Sequence, residues 1–391
     1  MRHYRIPLLV LLFLTFLALV FFSPALDRRG MDDFVVYWSA SRLLATGANP
    51  YDPAALQTLQ EETFPGREQM PGLAFASWNP PWLLLLLFPF GLLPFTFAAR
   101  LMLLTNLGLI AVAVWCSWRW ATWETSPTVG ILIALALSMF FPGSLMTLAI
   151  GQISAVVMLC LLLGFWLLSQ KHDVLAGMCF LFSTIKPQLV YFALFIVGIW
   201  VLRERRWRVA FGGVMGLTLA LIAFTLFRPS WLSDYWGLVG GHVFTQYTTS
   251  TLGGVLHAWL GITLGRYAGI LLVPLAPWIV SLADKHGWLT AMNVALLFSI
   301  PLAPYGFGFD LIVLMPALVQ MVAWLWAHRL SLLRARLIVI GLAAFYGLSL
   351  WQLSLSGVPY HFFAWIPVWL GMLYAAAFPI PGRGLPLAEV Q

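Results

Sequence analysis

Apolar runs close to the thickness of a lipid bilayer recur along almost the whole chain, and the charges fall between them. The runs cover residues 6–22, 101–118, 127–145, 153–169, 174–185, 187–202, 209–227, 266–282, 288–303, 309–327, 337–353 and 359–378. A helix needs about 20 such residues to cross the hydrocarbon core. Only 9% of the 391 residues are charged and 61% are hydrophobic, whereas a soluble domain carries about 25% charge. Such a chain has too little polar surface to face water. A β-barrel would alternate in segments of about ten residues, and these runs are continuous. The sequence therefore predicts an all-α polytopic membrane protein of about 12 transmembrane helices. The 20 Trp residues suit the membrane interface, where amphipathic rings gather.

The first run, in "RHYRIPLLVLLFLTFLALVFFSPAL", has the basic start of a signal peptide. It is long for one and shows no clear small-x-small cleavage site before the charges, so an uncleaved first span is expected. The run "PPWLLLLLFPFGLLPFTFAAR" is interrupted by Pro89, Gly91 and Pro94, and proline removes a backbone donor. The basic clusters "RERRWR" at 203–208 and "HRLSLLRAR" at 328–336 belong on the cytoplasmic side. With Arg2 and Arg5 also inside, parity holds if residues 82–98 do not cross. They are read as a re-entrant or interfacial hairpin on the outer face. Residues 23–100 then form a large first outer loop, 228–265 a second, and the chain a single membrane domain with both termini cytoplasmic.

Cys116, Cys160 and Cys179 all lie in apolar runs and read as small buried hydrophobes, not a disulfide framework. No Cys/His spacing fits a zinc site, so neither metal nor cofactor is expected. The net charge of +7 is explained by topology, and no nucleic-acid partner is inferred.

Against this oily background, "GMDDFVVYWSASRLLATGANPYDP" at 30–53 places two adjacent acids in the first outer loop. If the segment is helical, an acid at its start caps exposed N–H groups and meets the positive end of the dipole. Asp32 is the better candidate for that task, which leaves Asp33 available for chemistry.

The segment "DFVVYWSASRLLATGANPYDP" resembles the first-outer-loop signature of glycosyltransferase family 87. Four later stretches resemble that family in order: "WNPPWLLLLLFPFGLLP", "GQISAVVMLCLLLGFWLL", "AGMCFLFSTIKPQLVYFALFIVGIWVLRERRW" and "LAPYGFGFDLIVLMPAL". Together they run from residue 31 to residue 318. The resemblance implies a GT-C fold and a polyprenyl-phosphate-mannose-dependent mannosyltransferase of a bacterial cytoplasmic membrane, with its active site on the outer face. Its partners would be a polyprenyl-phosphate-sugar donor, a lipid or glycolipid acceptor and membrane lipids.

Within that resemblance Asp33 occupies the position of the general base. Inverting transfer needs one base for the acceptor hydroxyl, unlike the paired carboxylates of glycoside hydrolysis. The leaving phosphate needs a cation, and Lys186 in "STIKPQ" is the expected one, against the alternative of a lysine that merely snorkels. Arg100, Arg228 and Arg266 are rivals. Asp32, Tyr37, Gln152, His242 and Asp310 complete the expected substrate contacts, although Gln152 and Asp310 also read as polar groups at helix starts. Relatives often carry a Ser-Trp-x-His sequence near Asp310. Tyr305, Phe307 and Phe309 stand there without a histidine, so no histidine role is carried over. The aromatic second loop reads equally as a sugar-stacking surface and as an interfacial belt.

Two other classes remain open at this level. A transporter or flippase would fit 12 spans, but it would usually show repeated halves and midplane charges. A non-catalytic factor on the same scaffold would tolerate loss of Asp33.

Overall fold

The computed structural model describes residues 32–63, 76–122, 129–240, 249–327, 330–355 and 357–379. The expected span at 6–22 and His242 lie outside these residues. Every regular element among the described residues is helical. In chain order, α1 is Asp32–Ala45, α2 Pro53–Thr63, α3 Trp82–Gly91, α4 Phe95–Thr122, α5 Val129–Met139 and α6 Pro142–Ile150. Then come α7 Ser154–Ser169, α8 Asp173–Ser183, α9 Pro187–Glu204, α10 Trp207–Phe227, α11 Trp231–Val239 and α12 Leu252–Leu260. The last are α13 Ala276–His286, α14 Trp288–Ser299, α15 Met315–Trp326, α16 Leu332–Ser354 and α17 Trp365–Ala377, with 3₁₀ segments at Leu264–Leu275, Gly308–Leu314 and Tyr360–Phe363.

Six helical stretches are long and apolar enough to cross a membrane: α4, α9, α10, Leu264–His286, Gly308–Trp326 and α16. The pair α5 and α6, bent by 58°, makes a seventh if it is one broken span. Helices α3, α7, α8 and α14 are apolar but shorter. The chain is a polytopic all-α membrane protein. Length and composition alone support six or seven spans among the described residues, where the sequence predicted about 12 in the whole chain.

The broken run at 82–98 behaves differently from its prolines. Helix α3 runs through Pro89, which removes one i→i−4 bond from its last turn without ending the helix. The break falls at 92–94. There the Pro94 carbonyl accepts from Ala98 N at 2.9 Å, so Pro94 starts α4 at a place where a missing N–H is harmless. The second half of the run is the first turn of a 28-residue helix.

The chain divides into two compact units. The first contains residues up to Gly108, Leu148–Ile153 and Thr218–Val243. Its core joins Ala40 and Leu44 of α1, Leu56 of α2, Leu84 of α3 and Phe224 of α10. Helices α1 and α3 cross at Gly91, where a Cβ would stand 2.4 Å from the Ser41 carbonyl oxygen. Arg42 Nη1 donates to the Gly91 carbonyl at 3.1 Å and Trp38 Nε1 to that of Leu93 at 3.0 Å. Gln60 Nε2 of α2 donates to Ser39 Oγ at 2.9 Å. Helix α1 is thereby clamped on two sides.

The second unit contains Leu109–Thr147, Ser154–Leu217 and the chain from Phe244 onward. Its centre is Gly308–Trp326, whose apolar window is 94% buried. Small residues bring α8 and α10 together: a Cβ on Gly177 would lie 2.0 Å from the Val209 carbonyl oxygen, and one on Gly212 2.1 Å from that of Val174. Apolar helices in lipid gain little from hiding apolar surface, so close backbone approach of this kind carries their packing. Polar groups add to it. Gln320 Oε1 accepts from Asn293 Nδ2 at 2.7 Å and Tyr374 Oη at 2.5 Å, and Gln320 Nε2 donates to Thr290 Oγ1 at 3.0 Å. The "RERRWR" cluster is partly consumed locally: Arg206 forks onto both oxygens of Asp173 at the start of α8, and Arg203 reaches Asp284 at 2.9 Å.

Candidate active site

In the first unit, α1 carries Asp33 and Tyr37, four residues apart and therefore on one face. Asp33 lies in the first helical turn, where the unpaired N–H groups favour negative charge, and its residue is half-buried. The partner comes from a tight turn. Helix α6 ends at Ile150, Gly151 adopts φ +68°, and Gln152 follows. Only glycine enters that left-handed region cheaply, which explains the Gly-Gln pair. Gln152 Nε2 donates to Asp33 Oδ2 at 2.6 Å, and Tyr37 Oη donates to Gln152 Oε1 at 2.8 Å. The Ile153 backbone N–H donates to the same Oε1 at 2.8 Å, and Asn106 Nδ2 donates to the Gln152 carbonyl at 3.0 Å. Tyr37, Asn106 and Gln152 are all buried. A half-buried carboxylate oriented by a buried amide can accept a proton from a hydroxyl brought to it.

The second unit holds a different cluster. Lys186 precedes Pro187 at the start of α9, and a residue before proline is driven to extended backbone, which ends α8's turn and aims the side chain inward. Lys186 Nζ lies 2.7 Å from Asp310 Oδ1 and 2.9 Å from Ser154 Oγ. Ser154 Oγ also donates to Asp310 Oδ1 at 2.7 Å, and the Phe307 N–H donates to Oδ2 at 3.1 Å. The ammonium sits 4.7 Å from the centroid of the Phe309 ring, a cation–π contact. Lys186, Ser154 and Asp310 are buried.

The expected site residues therefore fall into two groups. Asp33, Tyr37 and Gln152 meet in one unit, and Lys186 and Asp310 meet in the other. Asp32 is the first residue of α1, but its side chain falls outside the described residues, as does His242 of the second loop. Among the rival cations, Arg228 Nε pairs with Asp234 Oδ2 at 2.8 Å and Arg266 Nε donates to the Thr263 carbonyl at 3.1 Å. Trp236 and Trp259 of the second loop are exposed. Sequence reasoning missed Asn106 and Ser154, polar residues in apolar runs that nothing in the local pattern singles out.

The model of glycosyltransferase family 87 matches residues 78–345. The match takes in Gln152, Lys186 and Asp310 and begins after α1, so it does not include Asp33. No curated protein and no solved structure matches the chain. With well over half of its 391 residues matched, the chain belongs to glycosyltransferase family 87.

Proposed function

We propose that this membrane glycosyltransferase moves a sugar, mannose in the leading reading, from a polyprenyl-phosphate carrier to a lipid-linked or glycolipid acceptor. The site faces the outer side of a bacterial cytoplasmic membrane. Asp33 takes the proton of the acceptor hydroxyl as its oxygen bonds to the anomeric carbon. The bond from that carbon to the phosphate oxygen breaks, and its electron pair leaves with the polyprenyl phosphate. Attack and departure occur on opposite faces, so configuration inverts. One observation carries the reading: Asp33 stands half-buried in the first turn of the clamped helix α1, its carboxylate held by a buried amide.

The leaving phosphate also needs stabilisation. Lys186 was the cation expected from the sequence, but its charge is met by Asp310 and Ser154. A fold-holding role fits that geometry better than phosphate binding. Membership of a glycosyltransferase family favours transfer over transport. The test is an assay of the purified protein with polyprenyl-phosphate mannose, glucose and arabinose against lipids extracted from the host. Transfer from one of the three supports the proposal; transfer from none, with a nucleotide sugar active instead, contradicts it.

A further inference from the structure

We propose that Gln152 is a positioning residue for Asp33, held by Tyr37 and Ile153 with its N–H end fixed on the carboxylate. This rests on the reading of Asp33 as the base, and it replaces the substrate contacts expected of Gln152 and Tyr37.

An amide side chain can be turned either way round, and the choice must come from its neighbours. Here the neighbours leave one choice. The Ile153 backbone N–H, 2.8 Å away, can only donate, so the atom facing it is the amide oxygen. Tyr37 Oη, 2.8 Å from that same oxygen, must then give its own proton there. The opposite end is the amide nitrogen, 2.6 Å from Asp33 Oδ2, and it donates to the carboxylate. The Gln152 backbone is fixed as well, by Asn106 Nδ2 on its carbonyl and by the left-handed turn at Gly151. At 3% exposure, Gln152 has no room to swing toward a sugar.

The consequence is chemical. The amide N–H fixes where the Asp33 carboxylate points, and a base must be held in line with the hydroxyl it serves. The bond takes up one lone-pair direction of the carboxylate and restricts the group's rotation. Displacements of about 1 Å at a reacting group cost roughly 100-fold in rate, which sets the scale of what Gln152 can contribute.

The experiment compares wild type with Gln152→Ala, Gln152→Glu, Tyr37→Phe and Asp33→Asn. Gln152→Glu keeps the length but replaces the neutral amide donor with a second carboxyl group against Asp33. Its turnover should fall about 100-fold, with KM for donor and acceptor unchanged, and Gln152→Ala should behave likewise. Tyr37→Phe should lose about fivefold, the worth of one ordinary hydrogen bond. A raised KM with normal turnover would make Gln152 a substrate ligand and overturn the proposal. So would normal turnover accompanied only by a lowered melting temperature. Full activity in Asp33→Asn would remove the base reading itself; an inactive Asp33→Asn beside a fully active Gln152→Glu would remove only this inference. A second readout needs no substrate. Infrared bands lost in Asp33→Asn isolate the Asp33 carboxylate, and they should shift in Gln152→Ala; bands that stay in place overturn the proposal.

Discussion

Lys186 and Asp310, 124 residues apart in the chain, form an ion pair at 2.7 Å with side chains only 5% and 1% exposed. Two charges so buried lose much hydration, and their attraction roughly offsets that loss only while both are present. Lys186→Met should therefore destabilise the second unit by about 3–5 kcal/mol, as should Asp310→Leu, because each strands the other charge. The double variant should recover most of that loss, measured by thermal unfolding in detergent. It should also keep the wild-type KM for the donor. A raised donor KM in the stable double variant would return Lys186 to phosphate binding.

The crossing of α8 and α10 makes a steric prediction. Gly177→Ala places a Cβ 2.0 Å from the Val209 carbonyl oxygen, so the helices must separate, at a cost of about 1–3 kcal/mol. Gly198 on α9 has nothing within 4 Å of its would-be Cβ. Gly198→Ala should be neutral or stabilise by up to about 1 kcal/mol through helix propensity. Melting temperatures of the two variants side by side check the contrast. Equal effects would mean that the close crossing does not hold the unit together.

Tyr51 offers a pH test. Its Oη has no hydrogen-bond partner among the described residues. Burial, then the neighbouring Tyr235 and Asp234, pushes its ionisation well above the ordinary value of 10.0. Below pH 10 the phenol is neutral folded or unfolded and adds no pH dependence. Above it the unfolded chain ionises while the folded chain does not, so stability falls as pH rises. Tyr51→Phe should flatten that alkaline slope in denaturation curves. It should cost little near neutrality, since it removes an unsatisfied hydroxyl. An unchanged slope would place the alkaline sensitivity elsewhere.

What the sequence revealed and what it hid follow from range. Helix identity was legible because apolar runs are local. The start of α9 was legible in Lys-Pro, since proline constrains its own residue and the one before it. Of the two prolines in the broken run, Pro94 marks the break at 92–94, where a helix start needs no donor, and Pro89 leaves its helix continuous. Asp33 stood out as an acid in an oily segment. Its bond to Gln152 spans 119 residues and leaves no local trace. Lys186 was visible as a cation between apolar runs, but its neutralisation by Asp310 belongs to the packing of distant segments. Long-range pairing of polar groups is thus the part of the site that the residue pattern could not supply.

The central claim, that Asp33 is the base of a sugar transfer, is most directly tested by comparing Asp33→Asn with Asp32→Asn in the reconstituted assay. Loss of one proton acceptor should lower turnover by at least about 100-fold in Asp33→Asn, with donor binding retained, while Asp32→Asn stays close to wild type. Asp33→Asn turning over at the wild-type rate would contradict the account.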